Sequence, residues 1–168
     1  FGSGIRSDFG IKAEACRIAD IILPNTSAEA ELIAKGFSIN LSKISIIPNG
    51  VETRFTSATP DLFIQECNLK DFVLFVGQAG APRKNLIKLL EAAPLIGSKI
   101  VVIGSLYDDE YGRECKALAT KAGNVLFIPT LGHNAELLAS AYAACDTFVL
   151  PSLFETPGIA ALEAALAG

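Results

Sequence analysis

The stretch Asp146-Thr147-Phe148-Val149-Leu150-Pro151-Ser152-Leu153-Phe154-Glu155-Thr156-Pro157-Gly158-Ile159-Ala160-Ala161-Leu162-Glu163-Ala164 reads as strand, loop and helix in succession. Residues 146–150 form a short apolar run of the buried-strand kind. Thr is a favoured N-cap and Pro a favoured first helical residue, so the spacing predicts a helix opening at Thr156-Pro157. With Thr156 as the cap, the amides of Gly158, Ile159 and Ala160 would leave the helix end unpaired. Those donors and the positive end of the helix dipole suit an anion, above all a phosphate. Glu163 lies seven residues past that cap, a rotation of about 700°, which returns it to the cap's face roughly 10 Å further along. One acid, Glu155, would then sit beside the phosphate. The other, Glu163, would stand where a ribose offers its hydroxyls.

The same alternation extends outward from this unit. Strands are expected at 72–76, 99–103 and 124–128, with helices near 85–93, 109–121, 136–144 and 158–167. Short apolar runs alternating with helical patterns indicate an α/β fold with an open, Rossmann-like parallel sheet and helices on both faces. In front of this series, 13–19 looks helical and 20–23 reads as a strand. Thr26 and Glu29 make a capping box for a helix ending near Gly36. Residues 44–47 read as another strand, followed by a turn at Pro48-Asn49-Gly50. Between 51 and 70 the pattern weakens, apart from a short helix through Cys67 that Thr59-Pro60-Asp61 would cap.

In an open parallel sheet, ligands sit at the strand C-terminal ends, so the loops after 76, 103, 128 and 150 are the ones to read. The first, Gly77-Gln78-Ala79-Gly80-Ala81-Pro82-Arg83-Lys84-Asn85, fits neither the dinucleotide fingerprint nor a P-loop. It does place Arg83 and Lys84 before a helix, where a cation can neutralise a diphosphate leaving group. Read from the loop alone, the pair is an exposed basic turn. The acids Asp108, Asp109 and Glu110 in the second loop read as helix caps rather than as a metal site. In the third loop His133, the single histidine, reads as an exposed residue and Asn134 as an N-cap. The backbone of Thr130 and Leu131 would border a flat base. Paired carboxylates also cut glycosidic bonds, but two acids strung along one helix flank a single bond poorly, and a ribose grip fits better.

Composition sets limits. The chain has 168 residues, 51% of them hydrophobic, enough for one sizeable core. A net charge of −4 with dispersed Lys and Arg gives no nucleic-acid footprint and no strongly basic membrane-binding face. No apolar stretch is long enough for a transmembrane segment. Cys16, Cys67, Cys115 and Cys145 lack metal or redox spacing and read as reduced core residues, which makes the cytoplasm the default compartment. The chain contains no Met and ends inside or at the close of an apolar helix, so both ends look cut from a longer protein.

Four motifs together resemble the retaining glycosyltransferases of the GT-B fold, in particular the GT4 family. Residues 19–27 look like the last strand and helix of that family's N-terminal domain. Ile47-Pro48-Asn49-Gly50-Val51 looks like its interdomain junction, with Glu52 in place of the usual Asp. Phe75-Val76-Gly77 followed by Arg83-Lys84-Asn85-Leu86 resembles its diphosphate loop, and Pro151-Ser152-Leu153-Phe154-Glu155 through Leu162-Glu163-Ala164 resembles its paired-glutamate motif. The resemblance divides the chain into a remnant of the N-terminal (acceptor) domain and junction at 1–50, a linker at 51–70, and a nucleotide-sugar-binding domain at 71–168 that is incomplete at its C-terminus.

By the same resemblance, the expected function is retaining transfer of a hexosyl group, such as mannosyl or glucosyl, from a nucleotide-diphosphate sugar to a glycan or lipid-linked acceptor, as in polysaccharide biosynthesis. Lys84 would contact the diphosphate, Gly158 and Ile159 would supply amides to it, Glu163 would hold the ribose, and Glu155 would lie at the reacting centre. The wider substrate-binding set is Gln78, Arg83, Leu131 and Thr156. No cofactor or metal is expected, because cations and a helix end neutralise the leaving group. The acceptor, and any peripheral attachment to the inner face of the membrane, would depend on sequence outside this chain, and the isolated piece would be inactive or nearly so. Two departures from the pattern stand out. Gln78 replaces an Arg, and Thr156-Pro157 replaces Gly-Phe. They motivate an alternative, a non-catalytic binding module; a nucleotide-sugar epimerase of the same fold is a third reading.

Overall fold

Valine, isoleucine and phenylalanine dominate the four short runs that pair into a sheet in the computed structural model, which describes residues 4–155 and 158–168. Strands β1 (Val73–Val76), β2 (Ile100–Ile103), β3 (Val125–Ile128) and β4 (Thr147–Phe148) are parallel, in the order β3-β2-β1-β4. Val73 pairs with Ile100 and with Thr147, and Ile100 with Val125. The last strand is shorter than the expected 146–150. Val149 still donates to the Leu74 carbonyl at 2.8 Å, but Pro151, which has no amide, follows closely.

Alternate residues of each strand enter different cores. Leu74, Val101 and Ile103 pack with Phe55, Phe63, Phe72 and Tyr142 on one face. Phe75, Ile100 and Val102 pack with Leu86, Leu90 and Cys115 on the other. Helices α3 (Asp61–Cys67), α6 (Glu136–Ala144) and α7 (Ile159–Ala167) cover the first face, and α4 (Leu86–Ala92) and α5 (Glu110–Ala122) the second. This is the expected Rossmann-like sheet with helices on both faces. All four cysteines are unpaired, and burial pushes the Cys115 thiol up to about 11.

Two compact units divide the chain, Phe1–Gly50 and Val51–Gly168. In the first, α1 (Gly4–Ile18) begins earlier than its sequence pattern suggests, and α2 (Ser27–Phe37) starts at the expected capping box. Glu29 N–H donates to Thr26 Oγ1 at 3.1 Å, while the Glu29 carboxylate accepts from Asn25 N–H at 2.8 Å. The strands expected at 20–23 and 44–47 reduce to one parallel bridge between Ile22 and Ile44. The predicted turn at Pro48-Asn49-Gly50 is irregular chain. In the second unit, the stretch read as a linker carries a 3-10 turn at Thr53–Ser57 and α3, whose Phe55 and Phe63 are fully buried. Pro60, not Thr59, precedes α3 as its cap, with no side-chain hydrogen bond.

Candidate functional site

The order β3-β2-β1-β4 places the reversal of winding between β1 and β4, so their carboxyl ends frame the crevice where such sheets hold ligands. Two glycines let the chain turn sharply there. Gly77 and Gly104, which follow β1 and β2, both have φ of +153°, and a Cβ on Gly104 would lie 2.0 Å from the Gly77 carbonyl oxygen. Only glycine fits that approach.

The loops after β1 and β4 are joined across the crevice. Lys84 Nζ donates to Glu155 Oε1 at 2.5 Å, with the lysine side chain 13% exposed and the glutamate 20%. The Asn85 side-chain amide donates to the Pro151 carbonyl at 3.1 Å, and Leu153 N–H to the Arg83 carbonyl at 2.9 Å. Burial of Glu155 works to raise its pKa. The combined pull of Lys84, Ser152 and Arg83 outweighs it and holds the carboxyl below its ordinary value. The expectation of an exposed basic pair is therefore right for Arg83 and wrong for Lys84. Arg83 stays exposed and donates to Gln78 Oε1 at 3.2 Å. Lys84 is drawn inward because a half-buried carboxylate stands opposite it.

Helix α7 opens at Ile159 with Gly158 as its cap residue, within one residue of the helix expected at 158–167; Thr156, expected as the cap, and Pro157 lie outside the described residues. Among the described residues, the amides of Ile159 and Ala160 find no protein acceptor, while those of Ala161 and Leu162 turn back to the Gly158 carbonyl. Gly158 sits tight against its surroundings. A Cβ there would meet Leu150 Cδ2 at 2.6 Å and Glu155 Cγ at 3.5 Å. The start of α7 and the Lys84–Glu155 pair thus lie side by side.

Glu163, five residues after the Gly158 cap, faces into the protein. It is 5% exposed, and its Oε2 accepts from the Tyr142 hydroxyl at 2.8 Å. Burial first, and Glu163 second, push the Tyr142 hydroxyl strongly upward, so it stays a donor. The other oxygen, Oε1, lies 3.8 Å from His133 Nδ1, and His133 Nε2 is 3.1 Å from Glu52 Oε1. His133 is indeed exposed, but it stands between two carboxylates rather than free in the loop. Sequence reasoning missed Tyr142 and Glu52. An apolar helix hides the first, and 81 positions separate the second from its partner.

A cavity of about 700 Å³ opens at these strand ends, lined by Gly77, Gln78, Ser105, Tyr107, Leu131, His133 and Ile159 among others. Of the expected site residues, Gln78, Leu131 and Ile159 line it. Lys84, Glu155 and Gly158 cluster together, and Glu163 faces His133 on its wall. The Thr130 hydroxyl is taken up by Ser105, at 3.1 Å from its amide. Asp109 caps α5, accepting from Gly112 N–H at 2.8 Å, as expected of that acid cluster. Ala135, not Asn134, precedes α6. Among the described residues no three His, Cys, Asp or Glu side chains come together in a way that could hold a metal, and no helix is long and apolar enough to cross a membrane.

Residues 70–168 match the family described as "Glycosyl transferases group 1". The chain belongs to that family. A D-inositol 3-phosphate glycosyltransferase of Stackebrandtia nassauensis is 30% identical over 168 residues, an alignment covering 89% of this chain and 37% of that protein. The chain thus spans well under half the length of this curated relative. Two solved structures share the fold. Sucrose-phosphate synthase from Thermosynechococcus elongatus superposes with a TM-score of 0.81 at 23% identity, covering 97% of this chain and 42% of that one. Anabaena HepE, solved in complex with UDP and glucose, gives 0.80 at 20% identity, covering 96% and 46%. With these neighbours, the Rossmann-like sheet is that of a GT4-like glycosyltransferase of the GT-B fold.

Proposed function

We propose that the unit Val51–Gly168 holds a nucleotide-diphosphate sugar in the β1/β4 crevice and serves as the donor half of a retaining hexosyl transfer. The observation that carries this reading is the Lys84–Glu155 contact, which sets a cation and an acid beside the opening amides of α7. In the transfer, the bond between the anomeric carbon and the diphosphate breaks with its electron pair staying on the phosphate oxygen, while an acceptor hydroxyl oxygen bonds to that carbon and its proton passes to the leaving phosphate. Lys84 and the amides of Gly158 and Ile159 would stabilise that charge. Glu155, freed from Lys84 as the diphosphate takes the ammonium, would face the donor sugar. Glu163 would accept from the ribose hydroxyls, and Leu131 would border the base. HepE's complex with UDP and glucose, on a chain of the same fold, supports a nucleotide-sugar donor.

Isothermal titration of the chain with UDP, GDP and ADP tests this. At least one should bind, and Glu163→Ala should weaken it. If none binds to protein shown by circular dichroism to be folded, the reading is wrong.

A non-catalytic binding module is the second reading. It is favoured by Gln78, whose carboxamide occupies the guanidinium of Arg83 and leaves Lys84 as the cation at the centre of the crevice. Gln78→Arg should raise diphosphate affinity if a single missing cation is the deficiency. Unchanged affinity would leave that reading without its motive.

A further inference from the structure

Glu163 is a buried carboxylate with two oxygens and two different neighbours. Oε2 is occupied by the Tyr142 hydroxyl at 2.8 Å. Oε1 has no hydrogen bond among the described residues and lies 3.8 Å from Nδ1 of His133, a residue that lines the cavity. That ring is itself held. Its far nitrogen, Nε2, lies 3.1 Å from Glu52 Oε1, and the other Glu52 oxygen accepts from Arg54 Nε at 2.6 Å. Arg54 also donates to the His133 carbonyl, closing a ring of contacts. Phe55, the next residue, is fully buried edge-on against Tyr142, with ring centroids 5.6 Å apart. The 3-10 turn that contains it packs on α7, the helix carrying Glu163.

A carboxylate on one ring nitrogen fixes an imidazole's rotation, and a ring with protons on both nitrogens can hold a carboxylate at each. We propose that Glu52, acting through His133, is a positioning residue that sets Glu163 Oε1 for the ribose and so determines the preference for ribonucleotides over deoxyribonucleotides. The inference rests on the ribose role of Glu163 given above. Its rival is that Tyr142 alone holds Glu163 and that the Glu52–His133 contact does nothing but tie down a loop.

The test is the ratio of affinities for the tightest-binding nucleoside diphosphate and its 2′-deoxy counterpart, measured by titration calorimetry. This ratio cancels diphosphate contacts and general loosening of the fold. Glu52→Ala should lower it about fivefold, His133→Ala should lower it equally, and the double variant no further, since coupled residues act as a unit. Affinity for inorganic pyrophosphate should stay unchanged throughout. Glu52→Gln, which keeps the side chain's shape, gives the same reading should the alanine variant unfold. An unchanged ratio in the Glu52 variants while Glu163→Gln abolishes the preference overturns the role of Glu52 and leaves the ribose reading standing. An unchanged ratio in Glu163→Gln overturns both.

Discussion

At the β1/β4 end of the crevice, Lys84 and Glu155 meet directly, although 71 positions separate them in the chain. At the β3/α7 end, Glu163 is buried against Tyr142 and reaches Glu52 by way of His133. The first end is a single charged contact, partly open to solvent. The second is a series of weaker contacts rooted in the hydrophobic core through Tyr142 and Phe55. The difference has a physical origin. A half-buried ion pair can open when an anion arrives, because the ligand replaces one partner of the lysine with another. A carboxylate buried at 5% exposure cannot lose its partners without a large desolvation cost. On the proposed reading, one end exchanges its partner for the ligand and the other is preorganised.

The largest expected effect breaks the exchangeable end. Lys84→Ala should lower nucleoside diphosphate affinity about ten- to a hundredfold, the range of one charged hydrogen bond. Affinity for the bare nucleoside should be unaffected. Glu155→Gln should act in the opposite direction. With no carboxylate to displace, the ammonium is free for phosphate, and diphosphate affinity should rise severalfold. Titration of the two variants against one nucleotide and its nucleoside settles the matter. A fall in both variants would mean the pair is a structural tie and not a ligand-exchangeable one.

A smaller effect belongs to the preorganised end. Tyr142→Phe removes the donor to Glu163 Oε2 and leaves a buried carboxylate oxygen unpaired, a loss of about 1–3 kcal/mol in urea unfolding. The counterpart at the other end, Glu155→Gln, should cost less, since water reaches that carboxylate. Equal losses in the two variants would erase the distinction between the ends.

The legibility of the two ends in the sequence differs in the same way. The loops after β1 and β4 were readable because strand periodicity fixes where strands end, and Lys84, Glu155 and Gly158 lie in the loops that follow those ends. Asp109 and the bounds of α6 were readable for the same local reason. The preorganised end was not. Tyr142 looks like any aromatic in the alanine-rich helix Glu136–Ala144, and nothing local links Glu52 to His133. Phe55 and Phe63 sit in a 3-10 turn and a seven-residue helix, too short to show a hydrophobic period, so a core segment resembled a linker. The span of α7 was legible to within a residue, but the capping signature of Thr and Pro at 156–157 pointed to a cap other than Gly158.

The smallest expected effect concerns acid. The Glu155 carboxyl is held below its ordinary value of 4.5 in the folded protein, so the unfolded chain takes up its proton first as the pH falls. The stability this group contributes is therefore fully present above pH 4.5 and is lost progressively as the pH drops through the lower, folded value. Glu155→Gln imitates the protonated form at every pH. Urea midpoints of the two proteins should differ by an amount worth about 1 kcal/mol or less near neutrality, since the pair is partly hydrated. They should converge below pH 4.5. A gap that persists unchanged to pH 3 would show that Lys84 does not favour the ionised carboxylate, and the exchangeable end would lose its electrostatic basis.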